Sequence, residues 1–351
     1  MTAATAAPAR GPAVPRRRPA RSRRWIGLVL LLALTAVACL ASIAIGTRSI
    51  GLGEVWRALF DSGLSSEEAV IVRRLRVPRT VLGLMVGMAL GVAGALMQGH
   101  TRNPLGDPGL LGVTAGASLA VVLSIAWLGI STPSGYVWFA FLGALAGTVA
   151  VYLIGSAGRG GATPVTLALA GAALSALLYG LVRAVLVTDQ QTLDSFRFWV
   201  VGSLAGRDAD VAEQVAPFIA LGLLLAVANG PALDLLGLGE DVARGLGQRI
   251  WLARAVGLAA ITLLAGAATA ACGPIAFVGL VVPHAVRAVT GSDHRWLIPC
   301  SALAGAVLLL TADVVGRVVV RPGELQVGIV LALIGAPFFI ALVRRRKTVG
   351  L

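Results

Sequence analysis

Apolar side chains fill ten long stretches of the 351-residue chain, roughly 25–46, 80–98, 109–128, 136–155, 164–188, 212–229, 251–271, 272–289, 297–316 and 325–343. Polar side chains are largely confined to the gaps between them. The stretches are continuous, and most are about 20 residues long, the length an α-helix needs to cross the hydrocarbon core of a bilayer. The alternation that a transmembrane barrel requires is absent. The pattern predicts an all-α polytopic membrane protein of about ten transmembrane helices. The seventh and eighth stretches are parted only by the break "CGP" at 272–274. No gap is long enough to fold as a soluble domain. Residues 25–351 therefore read as one transmembrane domain, and residues 1–24, rich in Pro, Ala and Arg, as a disordered basic tail.

Small residues recur at helical spacing inside the runs: Gly83, Gly87 and Gly91, then the pairs Gly112/Gly116 and Gly143/Gly147. In lipid such stripes let helix backbones approach closely, which predicts a tightly packed bundle. The gap "TRNPLGDPGLLG" at 101–112 is of another kind. Pro104 and Pro108 stop the preceding helix and push Asn103 and Asp107 toward extended backbone, so a short, stiff hairpin is expected.

Composition supports this class. Hydrophobic residues make up 57% of the chain and charged ones 13%, with a mean hydropathy of +0.88, more apolar surface than a soluble domain of this size hides. Cys39, Cys272 and Cys300 lie far apart, in or at the edges of apolar runs, and read as small core residues without a disulfide. The net charge of +13 comes almost wholly from arginine, Lys347 being the single lysine. The arginines flank apolar segments, so membrane topology explains them and nucleic acid is not implied. Ten spans put both termini on one side. The basic head and "RRRK" at 344–347 make that side cytoplasmic, with 18 of the 29 basic residues facing it. "SRRWIGL" at 22–28 faintly resembles a twin-arginine export signal, but the apolar run after it is too long, which predicts an uncleaved first helix. One outer loop breaks the charge rule: residues 47–79 carry Arg48, Arg57, Arg73, Arg74, Arg76 and Arg79.

Candidate chemistry is sparse. There is no G-x-x-x-x-G-K-[ST], and with Lys347 as sole lysine there is none to find, so the chain hydrolyses no nucleotide through a P-loop of its own. His284, Asp293 and His294 come nearest to a metal cluster, close to a cytoplasmic helix end where hydrogen-bonding roles are commoner. Proton-coupled carriers bury acids in the membrane. Here the 16 acids fall almost entirely in gaps, and Asp313 stands four residues before Arg317, the spacing of a helical ion pair. A stand-alone secondary transporter and a membrane-bound transferase are the weaker readings, and energy for transport is expected from another chain.

Three stretches carry a family resemblance. "RLRVPRTVLGLMVGMALGVAGALMQGHTRNPLGDPGLLGVTAGASLAVVL" (74–123) is similar to the second and third spans of iron–siderophore ABC transporter permeases of the FecCD type. "GLGEDVARGLG" (237–247) resembles their cytoplasmic coupling segment, and "GPIAFVGLVVPHAVRAVTGSDHRWLIPCSALAGAVLLLTADVVGR" (273–317) their last third. The resemblance runs from about residue 47 to the C-terminus. It implies a non-catalytic, ten-helix subunit with the type II ABC importer permease fold, in the cytoplasmic membrane of a bacterium. Its implied partners are a second permease subunit, identical or related, a cytoplasmic ABC ATPase dimer and an extracytoplasmic substrate-binding protein. The chain itself binds no cofactor; ATP and Mg belong to the ATPase. The implied cargo is an iron–siderophore complex, with cobalamin or haem as alternatives because family members share these motifs.

The resemblance also assigns roles to residues. Arg76 and Arg79 of the R-x-P-R motif, with Arg317, would receive acidic residues of the binding protein, a task suited to the bidentate guanidinium. Interfacial snorkelling is the other reading of the same arginines. Asn103 and Leu105 would form part of the cytoplasmic gate. Segment 236–249 reads as a short amphipathic helix, with Glu240 and Asp241 favouring its positive start and Gly245 and Gly247 permitting a turn after it. Gly239, Glu240, Ala243 and Gly247 would contribute to ATPase coupling. The fifth and tenth spans would partly line an axis between two subunits, with "TDQQTLDSFRFW" (188–199) as a short helix at its outer mouth.

Overall fold

The computed structural model describes residues 21–47, 50–61, 66–157 and 163–347. In chain order its helices are α1 (Arg21–Ala44), α2 (Leu52–Phe60), α3 (Glu67–Val70), α4 (Val77–Thr101), α5 (Val113–Leu128), α6 (Pro133–Ser156) and α7 (Pro164–Thr188). There follow α8 (Gln190–Val200), α9 (Ala209–Leu236), α10 (Glu240–Gly245), α11 (Ile250–Cys272), α12 (Val278–Thr290), α13 (His294–Val319) and α14 (Val327–Lys347). A π-helical stretch, Ile71–Arg76, joins α3 to α4, and a 3₁₀ turn, Pro108–Leu111, precedes α5. Seven helices are long and apolar enough to cross a membrane, and three shorter apolar ones, Val113–Leu128, Val278–Thr290 and Val327–Leu342, bring the set to the ten expected.

Three boundaries differ from the hydropathy reading. The second span begins at Glu67, because the π-helical stretch carries Arg73, Arg74 and Arg76 without breaking the rod. α1 begins at Arg21, so Arg21–Arg24 belong to a helix and not to the tail; Arg24 is fixed by an ion pair of 2.8 Å to Asp293. Residues 1–20 of the predicted tail lie outside the described residues. The eighth span is cut to 13 residues. Gly273 and Pro274 end α11, and the chain runs without helix to Phe277, whose φ is 69°. The Ser203 amide bonds the Cys272 carbonyl at 2.8 Å and so satisfies one acceptor at the broken helix end.

α4 and α11 form the buried centre of the bundle, whereas α1 and α7 expose most of their surface. The glycine stripes lie at the crossings. A Cβ on Gly91 would fall 2.2 Å from the Ser301 carbonyl oxygen on α13, and one on Gly116 would fall 2.1 Å from that of Gly143 on α6. Only glycine lets these backbones approach so closely, which answers the packing expectation. The three cysteines are unpaired thiols. By the charge rule, the hairpin after α4, the α10 segment and the α12–α13 turn share the inner face with the start of α1.

Candidate functional site

On the inner face, the hairpin after α4 and the α10 segment touch. α4 ends at Thr101, and Arg102 takes a left-handed backbone with φ 48°, which non-glycine residues seldom adopt. Asn103 Oδ1 accepts the Leu105 amide at 3.0 Å, while the Asn103 carbonyl accepts the Gly106 amide at 3.0 Å. These bonds nest an Asx turn in a tight turn. Asp107 is extended, accepts the Gly109 amide at 2.7 Å and so caps the 3₁₀ turn. The prolines do produce a stiff hairpin, and apart from Leu110 its second half turns in among the helices. Asn103 is exposed and Leu105 half-buried, while Pro108 and Leu111 are buried among the helices. Asp107 lines a cavity of about 330 Å³ with Thr114, Thr269 and Pro274. Burial pushes its carboxyl above the usual range, an effect the Gly109 amide partly offsets.

Gly239 (φ 112°) and Gly247 (φ 80°) bracket α10 with backbone that favours glycine. Ala243 is fully buried, and the Gln248 amide on the Ala243 carbonyl, 2.9 Å, closes the turn. The segment presents Leu238, Val242 and Leu246 instead, exposed to 63%, 50% and 61%. The family resemblance assigns coupling to Ala243, whereas the exposed side chains are these three, whose four-residue spacing is visible in the sequence. Glu240 is the junction: its Oε1 receives Arg254 at 2.6 Å and Arg102 at 3.0 Å, and Arg244 lies at 3.8 Å. One carboxylate thus ties the α10 segment to α11 and to the residue before Asn103.

On the outer face, three arginines collar the end of α1, and a fourth, Arg79, stands beside them. Arg76 donates to the carbonyls of Ile43 and Ala44, both at 2.7 Å, and Arg321 to that of Gly46 at 2.6 Å. Arg317 donates to the carbonyls of Ser42 and Ile45 and to the Ser42 hydroxyl, at 2.9, 3.1 and 2.8 Å. Cations here satisfy orphan carbonyls and meet the negative end of the helix dipole. Arg317 also makes the expected helical pair with Asp313, at 2.8 Å. Arg79 reaches Asp313 from α4 at 2.8 Å and Glu324 at 2.8 Å. Arg76 and Arg317 are only 6% and 2% exposed, so the structure turns them inward and leaves Arg79, of the three expected receivers, nearest the surface. Arg74 and Arg197 are exposed on the same face.

The three residues weighed as a metal cluster go separate ways. His284 packs edge-on to Phe338, Asp293 pairs with Arg24, and His294 binds Asp234 of α9 at 2.7 Å. Among the described residues, no group of three or more His, Cys, Asp or Glu side chains is placed to hold a metal ion.

A bundle of ten apolar helices, with an exposed apolar segment on one face and an arginine collar on the other, has the form of a membrane permease subunit. The sequence profile of the FecCD transport family matches residues 34–345, and the chain belongs to that family. Among its relatives, the ferric enterobactin transport system permease protein FepD of Escherichia coli is 46% identical over 93% of this chain and 97% of its own. The probable siderophore transport system permease protein YfiZ of Bacillus subtilis is 40% identical over 92% and 97%. A solved structure of an inward-facing metal-chelate type ABC transporter superposes with a TM-score of 0.79 at 28% identity, covering 92% of this chain and 99% of that one.

Proposed function

We propose that this chain is one of two permease subunits of a bacterial importer that carries ferric siderophore complexes inward, driven by ATP hydrolysis in a cytoplasmic ATPase dimer. The cargo follows the relatives, whose names specify enterobactin and siderophore transport. The observation that carries the mechanism is the Glu240 junction. Leu238, Val242 and Leu246 form an apolar patch that fits a groove on an ATPase, and Glu240 links that patch to Arg102, next to the gate residues Asn103 and Leu105. Movement of the ATPase would then pull directly on the gate. Gly239 and Gly247 act as the hinges of this lever, and Ala243 anchors it from inside.

On the outer face, a substrate-binding protein would dock acidic side chains on the arginine collar. Arg79 is the first receiver, with Glu324 as the internal carboxylate it exchanges. Arg76 and Arg317 hold the collar's shape and supply positive potential, which favours encounter and orientation more than affinity. α7, largely exposed in the single chain, with α8 and α14, would face the second permease subunit and the translocation axis.

The test is uptake of radio-iron as ferric siderophore, beside cobalamin and haem, by cells in which this permease, its ATPase and its binding protein are the only importer. Uptake of ferric siderophore alone is expected. Uptake of cobalamin or haem with no iron uptake would move the cargo assignment to those ligands.

A further inference from the structure

A second cavity, of about 340 Å³, opens at the outer end of the bundle between the start of α6, α8 and the turn 202–207. Its polar centre is Arg207, only 9% exposed. A guanidinium buried to that degree normally carries a carboxylate with it, because an unpaired charge in a low-dielectric site is costly. Arg79 and Arg317 obey this rule with Asp313 and Glu324, and Arg76 meets two backbone carbonyls at the negative end of α1. Arg207 does not. One of its N–H groups goes to the neutral Tyr136 hydroxyl, and the guanidinium lies over that ring, 5.6 Å from its centroid. Its Nε is buried with no acceptor, as is the indole N–H of Trp199, a residue 1% exposed. Asp208, next in the chain, is exposed and forms no ion pair with it.

The surroundings complete a site of one sign. Ser195, Ser203 and Gln326 line the same cavity with Tyr136 and Trp199, and no acidic residue does. The frame is stiff before any ligand arrives. The Ser203 amide is held by the Cys272 carbonyl at 2.8 Å, the Ser203 hydroxyl accepts the Ala205 amide at 3.0 Å, and Gly202 and Gly206 turn the chain at φ 77° and 67°. α9 starts two residues after Arg207, and its acids Asp208 and Asp210 point to solvent and not into the cavity lining. Aromatic walls with a few fixed polar groups are the usual composition of a small-molecule pocket.

We propose that this cavity is an oxyanion subsite, in which Arg207 takes a carboxylate or catecholate group of an anionic ferric chelate entering from the outer face. The assignment rests on the reading of the chain as a ferric chelate importer. A cavity of this volume holds one arm of a chelate, so Arg207 selects for charge on the cargo's periphery and is silent about its metal. The planar fork of arginine pairs with paired oxygens, and the Tyr136 ring keeps it in place without neutralising it.

The experiment measures equilibrium binding of ferric dicitrate, which is anionic, and of a ferric trihydroxamate without carboxylates, to the permease–ATPase complex in nanodiscs of zwitterionic lipid. It is run without binding protein, and association of the binding protein is measured separately. Arg207→Gln is expected to weaken ferric dicitrate at least tenfold, with Arg207→Lys retaining part of the affinity, and to leave trihydroxamate binding and binding-protein association unchanged. Should Arg207→Gln fail to assemble, Ser195→Glu places a carboxylate in the same cavity. It is expected to raise the melting temperature and to block ferric dicitrate. Wild-type ferric dicitrate affinity in both variants would overturn the subsite, as would a loss confined to binding-protein association, which would give Arg207 to a protein carboxylate. If the wild-type importer moved no iron at all, the importer reading would fall and the subsite with it; iron uptake with Arg207-independent binding sinks the subsite alone.

Discussion

Asp313 lies beneath two guanidinium groups, Arg79 from α4 and Arg317 one turn along its own helix, each at 2.8 Å, and is almost fully buried. Removing its charge while keeping its shape leaves two buried cations sharing Glu324. Asp313→Asn is therefore expected to destabilise the fold by about 3–5 kcal/mol, read as a lower melting temperature of the purified permease in detergent. A variant as stable as wild type would show that the collar does not depend on this acid. Asp107 gives a test in pH. Burial raises its folded pKa, so its stabilising contribution is complete below the unfolded value, about 3.9, and is lost as pH rises through the raised one. Asn caps a turn as well as Asp and does not titrate. Asp107→Asn should match wild type in acid and melt higher at neutral pH; a gap independent of pH would contradict the assignment. At this scale the helical pair Asp313–Arg317 was legible, because four-residue spacing is a local rule. Arg79–Asp313 was not, because it joins side chains 234 residues apart. Arg207 left no local signal either: its significance lies in the acid that is missing around it.

Among the elements, the long apolar helices were legible from hydropathy, and the short α8 and α10 from the family resemblance and the acidic start and glycine end of the α10 segment. A run of about 20 apolar residues has one use in a chain this hydrophobic. α2 is set by amphipathic spacing over two to three turns, too brief to stand out in hydropathy. α12 read as a full span, because Gly273–Phe277 is itself mostly apolar; only the break at Gly273 and Pro274 marked where helix stops. The α10 segment makes the clearest prediction here. Val242→Asp and Leu246→Asp alter exposed side chains, so the permease should fold and melt as wild type while losing co-purification of its ATPase by tenfold or more. Retention of the ATPase by both would show that the patch serves another partner. Glu240→Gln tests the next link. It weakens the bonds to Arg102 and Arg254 while the patch remains, so ATPase association should persist and chelate moved per ATP hydrolysed should fall.

The molecule as a whole divides its labour between faces. Its outer end gathers arginine in a collar and an open cavity, its middle is closed by glycine-to-backbone crossings, and its inner end joins an apolar patch to a proline-stiffened hairpin through one carboxylate. A secondary carrier would need a titratable relay through the middle. The buried acid of the outer half, Asp313, is already held by two arginines. Energy for transport is therefore expected from a partner ATPase. The most direct measurement is ferric chelate uptake into proteoliposomes holding the permease pair with its ATPase, ATP inside and binding protein outside. Uptake should stop when the ATPase's catalytic carboxylate is substituted and continue when a protonophore collapses the proton gradient. Uptake that survives the ATPase substitution and stops with the protonophore would contradict it.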